Sequence, residues 1–134
     1  MSNNEHLLKH LTWEEFGFAV ETIASQCPSV NGVYGMPRGG LVLAVALSHR
    51  LLVPLLLEPR IGALWVDDIV DTGLTIRNAL KGMTYAAWIN KSPDYDVISA
   101  QTCGDEWVIF PWEKSSNASK DKELYDLSRR TKNN

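Results

Sequence analysis

The sequence predicts an α/β protein with a mostly parallel central sheet flanked by helices. Three observations predict it. Short apolar runs rich in strand formers alternate with longer segments of helical periodicity. Two of those runs lead into glycine-containing turns, one at Gly35 to Gly40 and one at Asp71 to Gly73. One run, Ala63 to Val66, is followed at once by the acidic pair Asp67 and Asp68. Alternation of this kind assembles β-α-β units, and an apolar run bounded by polar residues suits a strand buried on both faces.

The elements follow in order. Thr12-Trp-Glu-Glu15 is a capping-box pattern, and Phe16, Val20, Ile23 and Ala24 give an apolar face to a first helix ending near Gln26. Residues 30–34 read as a short strand, Gly35 to Gly40 as a turn, and residues 41–52 as an apolar helix. Pro54 opens another strand through Leu57, and Glu58 to Gly62 is a brief connection into the acidic strand. Residues 84–89 and 96–100 read as further strands, and no internal repeat is present.

Composition narrows the class of function. A chain of 134 residues makes one domain with a single core, here residues 1–113, followed by a polar tail over 114–134. The net charge of -3 gives no electrostatic footprint for nucleic acid. No apolar stretch reaches the ~20 residues of a membrane span, and Met1-Ser-Asn-Asn-Glu lacks a signal-peptide profile, so a cytoplasmic protein is expected. Cys27 and Cys103 lie far apart without metal-ligand spacing, which favours buried or free thiols over a zinc site or a disulfide.

The stretch Leu64-Trp-Val-Asp-Asp-Ile-Val-Asp-Thr-Gly-Leu-Thr-Ile76 carries the most chemistry. Asp67 and Asp68 are expected where the strand ends, and in open α/β sheets the carboxyl ends of the strands border the ligand crevice. Two adjacent anions are tolerable there if hydroxyl groups or a hard cation such as Mg²⁺ occupy their lone pairs. Gly73 then allows a turn that gathers backbone N–H groups, the hydroxyls of Thr72 and Thr75 add donors, and a helix start at Leu74 favours negative charge. The natural occupant is a sugar phosphate.

Val66 to Gly73 resembles the ribose-phosphate signature of type I phosphoribosyltransferases. The resemblance implies that fold and an Mg²⁺-dependent transfer of phosphoribosyl from phosphoribosyl pyrophosphate. In it, Asp67 and Asp68 hold the ribose hydroxyls, with Asp68 toward the metal. Thr72, Gly73, Leu74 and Thr75 cradle the 5-phosphate, and Asp71 serves as proton acceptor for the base. Leu74 stands where a glycine is common, which removes some backbone freedom but keeps the N–H.

Gly35-Met-Pro-Arg-Gly-Gly40 is a second constellation. Its glycines let backbone approach an anion, Arg38 offers a planar fork for phosphate oxygens, and the following helix adds its dipole. Within the resemblance Arg38, Gly39 and Gly40 fall on the pyrophosphate loop, which in some members carries a cis peptide just before the arginine. A third constellation lies at Lys91, at the carboxyl end of a strand, and at Trp107, Val108 and Ile109. A lysine there can donate to a base carbonyl, Trp107 can stack on a base face, and backbone carbonyls near Val108 and Ile109 can accept from exocyclic amines. The segment from Trp107 to Trp112 is similar to the C-terminal strand of xanthine-guanine phosphoribosyltransferases, which implies a 6-oxopurine base and a role in purine salvage. Phe110, Pro111 and Trp112 are read as packing residues.

One departure bears on activity. In this family a mobile hood longer than Glu58 to Gly62 lies before the acidic strand, and the chain is short for the family. A missing lid predicts slow turnover, leakage to hydrolysis or a substitute lid, for which the polar tail is the leading candidate; the same tail also suits a disordered solubilising segment. Two functional readings follow: an active purine phosphoribosyltransferase, or a weakly active relative that binds phosphoribosyl pyrophosphate or a nucleotide as a regulatory module. Five tryptophans in so short a chain are compatible with a homodimer or higher homo-oligomer.

Overall fold

A computed structural model describes residues 8–71, 81–92 and 96–114, together with Lys120, Glu123, Leu124 and Leu127. In chain order the elements are β1 (Leu8–His10), α1 (Trp13–Gln26), β2 (Val33–Gly35), α2 (Leu41–Leu51), β3 (Leu55–Leu56), β4 (Leu64–Val70), β5 (Thr84–Asn90), β6 (Ile98–Gln101) and β7 (Trp107–Ile109). Five strands form a parallel sheet in the order β3-β2-β4-β5-β6, and β1 pairs in parallel with β7 in a separate two-stranded sheet. The predicted fold class is therefore the observed one, with a strand at residues 8–10 that the sequence reading did not include.

Local chemistry accounts for both described helices. Thr12 caps α1 through Oγ1, which accepts from Glu15 N–H at 3.1 Å, while Glu15 Oε1 accepts from Thr12 N–H at 2.9 Å. The helix α2 stops one residue short of the expected Leu52, which adopts the left-handed conformation at φ 58° and closes the helix with its own N–H on the Ser48 carbonyl.

Both helices pack on one face of the sheet. Ile23 of α1 and Leu43 and Leu47 of α2 join Val33, Leu64, Val66, Ala86 and Trp88 in one core. Strand alternation sends Tyr34, Trp65 and Met83 to the opposite face, where a second, smaller core forms. The expected apolar segment from Leu74 to Leu80 lies outside the described residues. Trp13, Phe16, Trp88, Phe110 and Trp112 form a continuous aromatic cluster that joins α1 and β5 to the residues after β7, consistent with Phe110 and Trp112 as packing groups.

The sheet order locates the crevice. From β2 the chain passes through α2 to β3 on one side, whereas β4 leads to β5 and β6 on the other. The order reverses between β2 and β4, the position at which open α/β sheets bind ligands beyond the carboxyl ends of their strands. The turn at 35–40 leaves β2 at that point, and Asp71 follows the end of β4.

The connection before β4 lies at the other end of the sheet. The Asn31 N–H donates to the Gly62 carbonyl at 3.0 Å, the Gly62 N–H donates to the Gly82 carbonyl at 2.9 Å, and Arg60 Nη2 donates to the Asn31 carbonyl at 2.7 Å. Asn31, Gly62 and Gly82 all precede their strands, so these bonds hold the connection at the amino ends. Gly62 sits at φ 87°, where a side chain would be strained and would also meet Asn31. The expected absence of a hood from this interval thus has a structural form, a short loop tied away from the crevice. Leu52, Leu57 and Ile61 are exposed. Among the described residues no helix is long and apolar enough to cross a membrane.

Candidate active site

The acidic pair does not end its strand as the sequence reading expects. β4 continues through Asp67 and Asp68 to Val70, because β5 keeps pairing alongside it: Asp67 lies opposite Ala87, Ile69 opposite Ile89 and Val70 opposite Asn90. Both carboxylates are consequently buried, Asp67 at 4% and Asp68 at 5% exposure. Burial on this scale sets the pair apart from a solvated strand end.

The two aspartates also diverge. β2 gives its last bond to β4 at Val66, whose carbonyl accepts the Met36 N–H at 2.8 Å. Beyond that rung β2 has turned away, and the Asp68 N–H is taken by Asp67 Oδ1 at 2.8 Å. Asp67 lies on the side of Tyr34; burial raises the Tyr34 phenol above its usual range, with the Asp67 charge adding to the rise. Asp68 faces the turn. A Cβ built on Gly39 would overlap the Asp68 Oδ2 and would stand 2.5 Å from its Cγ and 2.9 Å from its Oδ1. Two motifs far apart in sequence are therefore in contact at one point, the carboxylate of Asp68 against the bare backbone of Gly39.

The turn itself corrects one expectation. The Gly40 N–H donates to the Met36 carbonyl at 2.8 Å, and the Leu41 N–H to the Arg38 carbonyl at 3.2 Å, so neither amide stands ready for an anion. Gly40 is instead required by proximity, since a Cβ there would overlap the Val66 carbonyl and lie 2.9 Å from Met36 N. Any anion contact from this turn falls to the exposed Arg38 and the Gly39 peptide. The Pro37–Arg38 peptide is cis.

Past β4 the sheet ends gather a second group. Asp71 is exposed, one residue beyond the last paired residue of β4, and Ser92 Oγ donates to its backbone carbonyl. The Lys91 N–H donates to the Val70 carbonyl at 2.7 Å, and Lys91 Nζ donates to the Glu106 carbonyl at 3.0 Å. One of the three ammonium protons of Lys91 thus braces the loop before β7. Trp107 opens β7 and is half-buried, whereas Val108 and Ile109 are buried. The Ile109 carbonyl already accepts the Leu11 N–H at 2.9 Å, a consequence of the β1 strand, and keeps a single lone pair for any other donor. Thr72, Gly73, Leu74 and Thr75, the expected phosphate cradle, lie outside the described residues.

Four residues near this group were given no site role by the sequence reading: Asn90, Ser92, Glu106 and Cys103, the last expected only as a buried or free thiol. Burial raises the Cys103 thiol above its usual range; Lys91 and Lys9 oppose the rise, while Glu106 and Asp71 add to it. That thiol therefore sits within electrostatic reach of Asp71 and Lys91 together. The spacing of Asn90 and Ser92, two residues apart at a strand end, is an Asx-turn signal that the sequence did contain.

Asp68 is a hard oxygen donor at the crevice, which fits Mg²⁺, an ion held by one or two carboxylates and otherwise by substrate oxygens and water. Among the described residues no group of three or more potential metal-ligating side chains occurs.

No protein-family model matches the chain, and no curated protein matches it. Solved structures do. The chain is similar to a purine phosphoribosyltransferase from Pyrococcus horikoshii, with a TM-score of 0.63 at 25% identity over 80% of this chain and 95% of that one. The chain adopts the type I phosphoribosyltransferase fold. Two further structures are similar to the chain at lower identity. One is a xanthine-guanine-hypoxanthine phosphoribosyltransferase from Helicobacter pylori, with a TM-score of 0.63 at 20% identity over 85% of this chain and 99% of that one. The other is a hypothetical protein from Neisseria gonorrhoeae with bound ppGpp, with a TM-score of 0.65 at 15% identity over 90% of this chain and 97% of that one.

Proposed function

We propose that this protein is a purine phosphoribosyltransferase that moves the 5-phosphoribosyl group from phosphoribosyl pyrophosphate to a 6-oxopurine and releases pyrophosphate. The observation that carries the reading is the contact of Asp68 with Gly39 at the switch point between β2 and β4, beside strand ends that carry Asp71 and Lys91. A plain helix cap or a surface turn has no use for a buried carboxylate against a glycine.

In this reading the sugar C1–oxygen bond to pyrophosphate breaks with its electron pair leaving on the phosphate oxygen, and a ring nitrogen of the base forms the new bond to C1. Arg38 clamps the departing pyrophosphate in the manner of a bidentate guanidinium. Asp67 and Asp68 accept from the ribose hydroxyls and so fix the ring against both partners. The residues 72–75 cradle the 5-phosphate. Asp71 accepts the proton released by the base nitrogen, and Trp107 supplies a stacking face. The Lys91 ammonium meets the 6-oxo group, and the carbonyls at Val108 and Ile109 meet exocyclic amines. Mg²⁺, held through Asp68, would contribute charge neutralisation at the pyrophosphate. The location that fits is the cytoplasm, and the role is purine salvage.

A second reading is a module that binds phosphoribosyl pyrophosphate or a nucleotide with little turnover. Two observations favour it: the connection tied at the amino ends of the strands, which leaves the crevice without a lid from that interval, and the bound ppGpp of the similar Neisseria protein. Asp71→Asn separates the readings. Turnover should fall about 100-fold, the lower range for removing a general base, while calorimetric binding of phosphoribosyl pyrophosphate stays within about twofold. Turnover equal to that of the unaltered protein would remove Asp71 from the mechanism.

A further inference from the structure

The carboxyl end of β5 sends three consecutive residues to three different tasks. Asn90 is buried and its Oδ1 accepts the Ser92 N–H at 2.8 Å, which closes an Asx turn on a strand that the core holds rigid. Lys91 braces the loop before β7 through the Glu106 carbonyl. Ser92, fixed by the turn, directs Oγ to the Asp71 carbonyl past the end of the neighbouring strand β4. Pairing of β4 with β5 ends at Val70 and Asn90, so Asp71 is the first residue past the ladder. Its side chain is exposed to solvent. The serine hydroxyl supplies the rung that the ladder no longer provides.

We propose that Ser92 is a positioning residue for Asp71, and that the Asx turn on Asn90 is what gives Ser92 a fixed direction. The inference rests on the reading of Asp71 as the proton acceptor. Holding the Asp71 peptide plane sets where its carboxylate points, and a misplacement of about 1 Å in such a group costs up to about 100-fold in rate. No covalent role for the hydroxyl is involved; it donates one hydrogen bond and accepts its orientation from the turn.

The test is a kinetic comparison of the full-length protein with Ser92→Ala and Ser92→Thr, each alone and in an Asp71→Asn background. Ser92→Ala should lower kcat about tenfold with KM for phosphoribosyl pyrophosphate within about twofold, and threonine, which keeps the hydroxyl, should restore most of the loss. In the Asp71→Asn background Ser92→Ala should cost nothing further, because a positioning group has nothing left to position. Thermal melting of all variants is followed in parallel, so a general loss of structure is recognised by a fall in Tm that threonine does not mend. An unchanged kcat in Ser92→Ala, or a full additional loss in the double variant, overturns the proposal. Absence of nucleotide product from the unaltered protein is a different failure: it removes the transferase reading and this inference with it.

Discussion

Gly39→Ala is the perturbation with the most definite consequence. Ordinary contact begins at 3.4 Å, whereas the new Cβ would stand 2.5 Å from Asp68 Cγ and overlap Oδ2. The carboxylate must therefore retreat by about 0.9 Å or more, and tight packing around a 5%-exposed side chain offers it little room. Overpacking of this kind costs about 1–3 kcal/mol, offset by about 0.4–1 kcal/mol from the stiffer unfolded chain. A net loss of about 1 kcal/mol lowers Tm by roughly 3–5 °C for a domain of this size. The functional loss should be larger. Displacing the group that holds the ribose and the metal by about 1 Å predicts about a 100-fold fall in kcat/KM, with weaker binding of phosphoribosyl pyrophosphate. The assays are nucleotide formation, calorimetry with phosphoribosyl pyrophosphate and Mg²⁺, and melting by circular dichroism. A folded Gly39→Ala protein with kcat/KM within about twofold of the original would refute the placement of Asp68 against the turn.

Three further outcomes follow from the structure. Leu52→Gly should raise stability by about 1 kcal/mol, read as a higher Tm, because Leu52 holds a left-handed backbone while almost wholly exposed and glycine adopts that conformation freely. Trp88→Ala should cost about 3–5 kcal/mol in denaturant unfolding, since Trp88 is fully buried at the centre of the aromatic cluster and its Nε1 donates to Gln101 at 3.1 Å. Alkaline pH should destabilise the fold: burial raises the thiols of Cys27 and Cys103 and the phenols of Tyr34 and Tyr85 above their usual 9.0 and 10.0. The unfolded chain then releases those protons first, so stability is complete below about pH 9 and declines as pH rises through the folded values, and a flat Tm from pH 8 to 10.5 would contradict that.

Much of the fold was legible because its signals are local. The capping box at Thr12 and Glu15 sets the start of α1, and the apolar runs at 30–34, 63–66 and 84–89 mark the three central strands. What was missed depends on pairing across the chain. Leu8–His10 has no alternation to read, and becomes a strand only because Trp107–Ile109 lies beside it. The extent of β4 was misjudged for the same reason. Charges normally end a strand, but β5 continues alongside and carries Asp67 and Asp68 inside.

The site divides in the same way. Residue types at Arg38, Asp68, Asp71 and Lys91 could be read from motifs. The spent amide of Gly40, the contact of Gly39 with Asp68 and the bond from Ser92 to Asp71 are distances between remote segments, which no spacing encodes. The cost of the short connection was legible as a missing length, but only the bonds among Asn31, Arg60, Gly62 and Gly82 reveal that it is fastened at the wrong end of the sheet to serve as a lid.

The most direct test of the central claim is product formation from phosphoribosyl pyrophosphate, Mg²⁺ and each of guanine, xanthine and hypoxanthine, with nucleotide and free ribose phosphate separated on one chromatogram. The account predicts nucleotide from at least one of these bases, accompanied by some ribose phosphate because the crevice has no hood from the β3–β4 connection. Neither nucleotide nor ribose phosphate, in a protein that binds phosphoribosyl pyrophosphate, would contradict it and leave a binding module in its place.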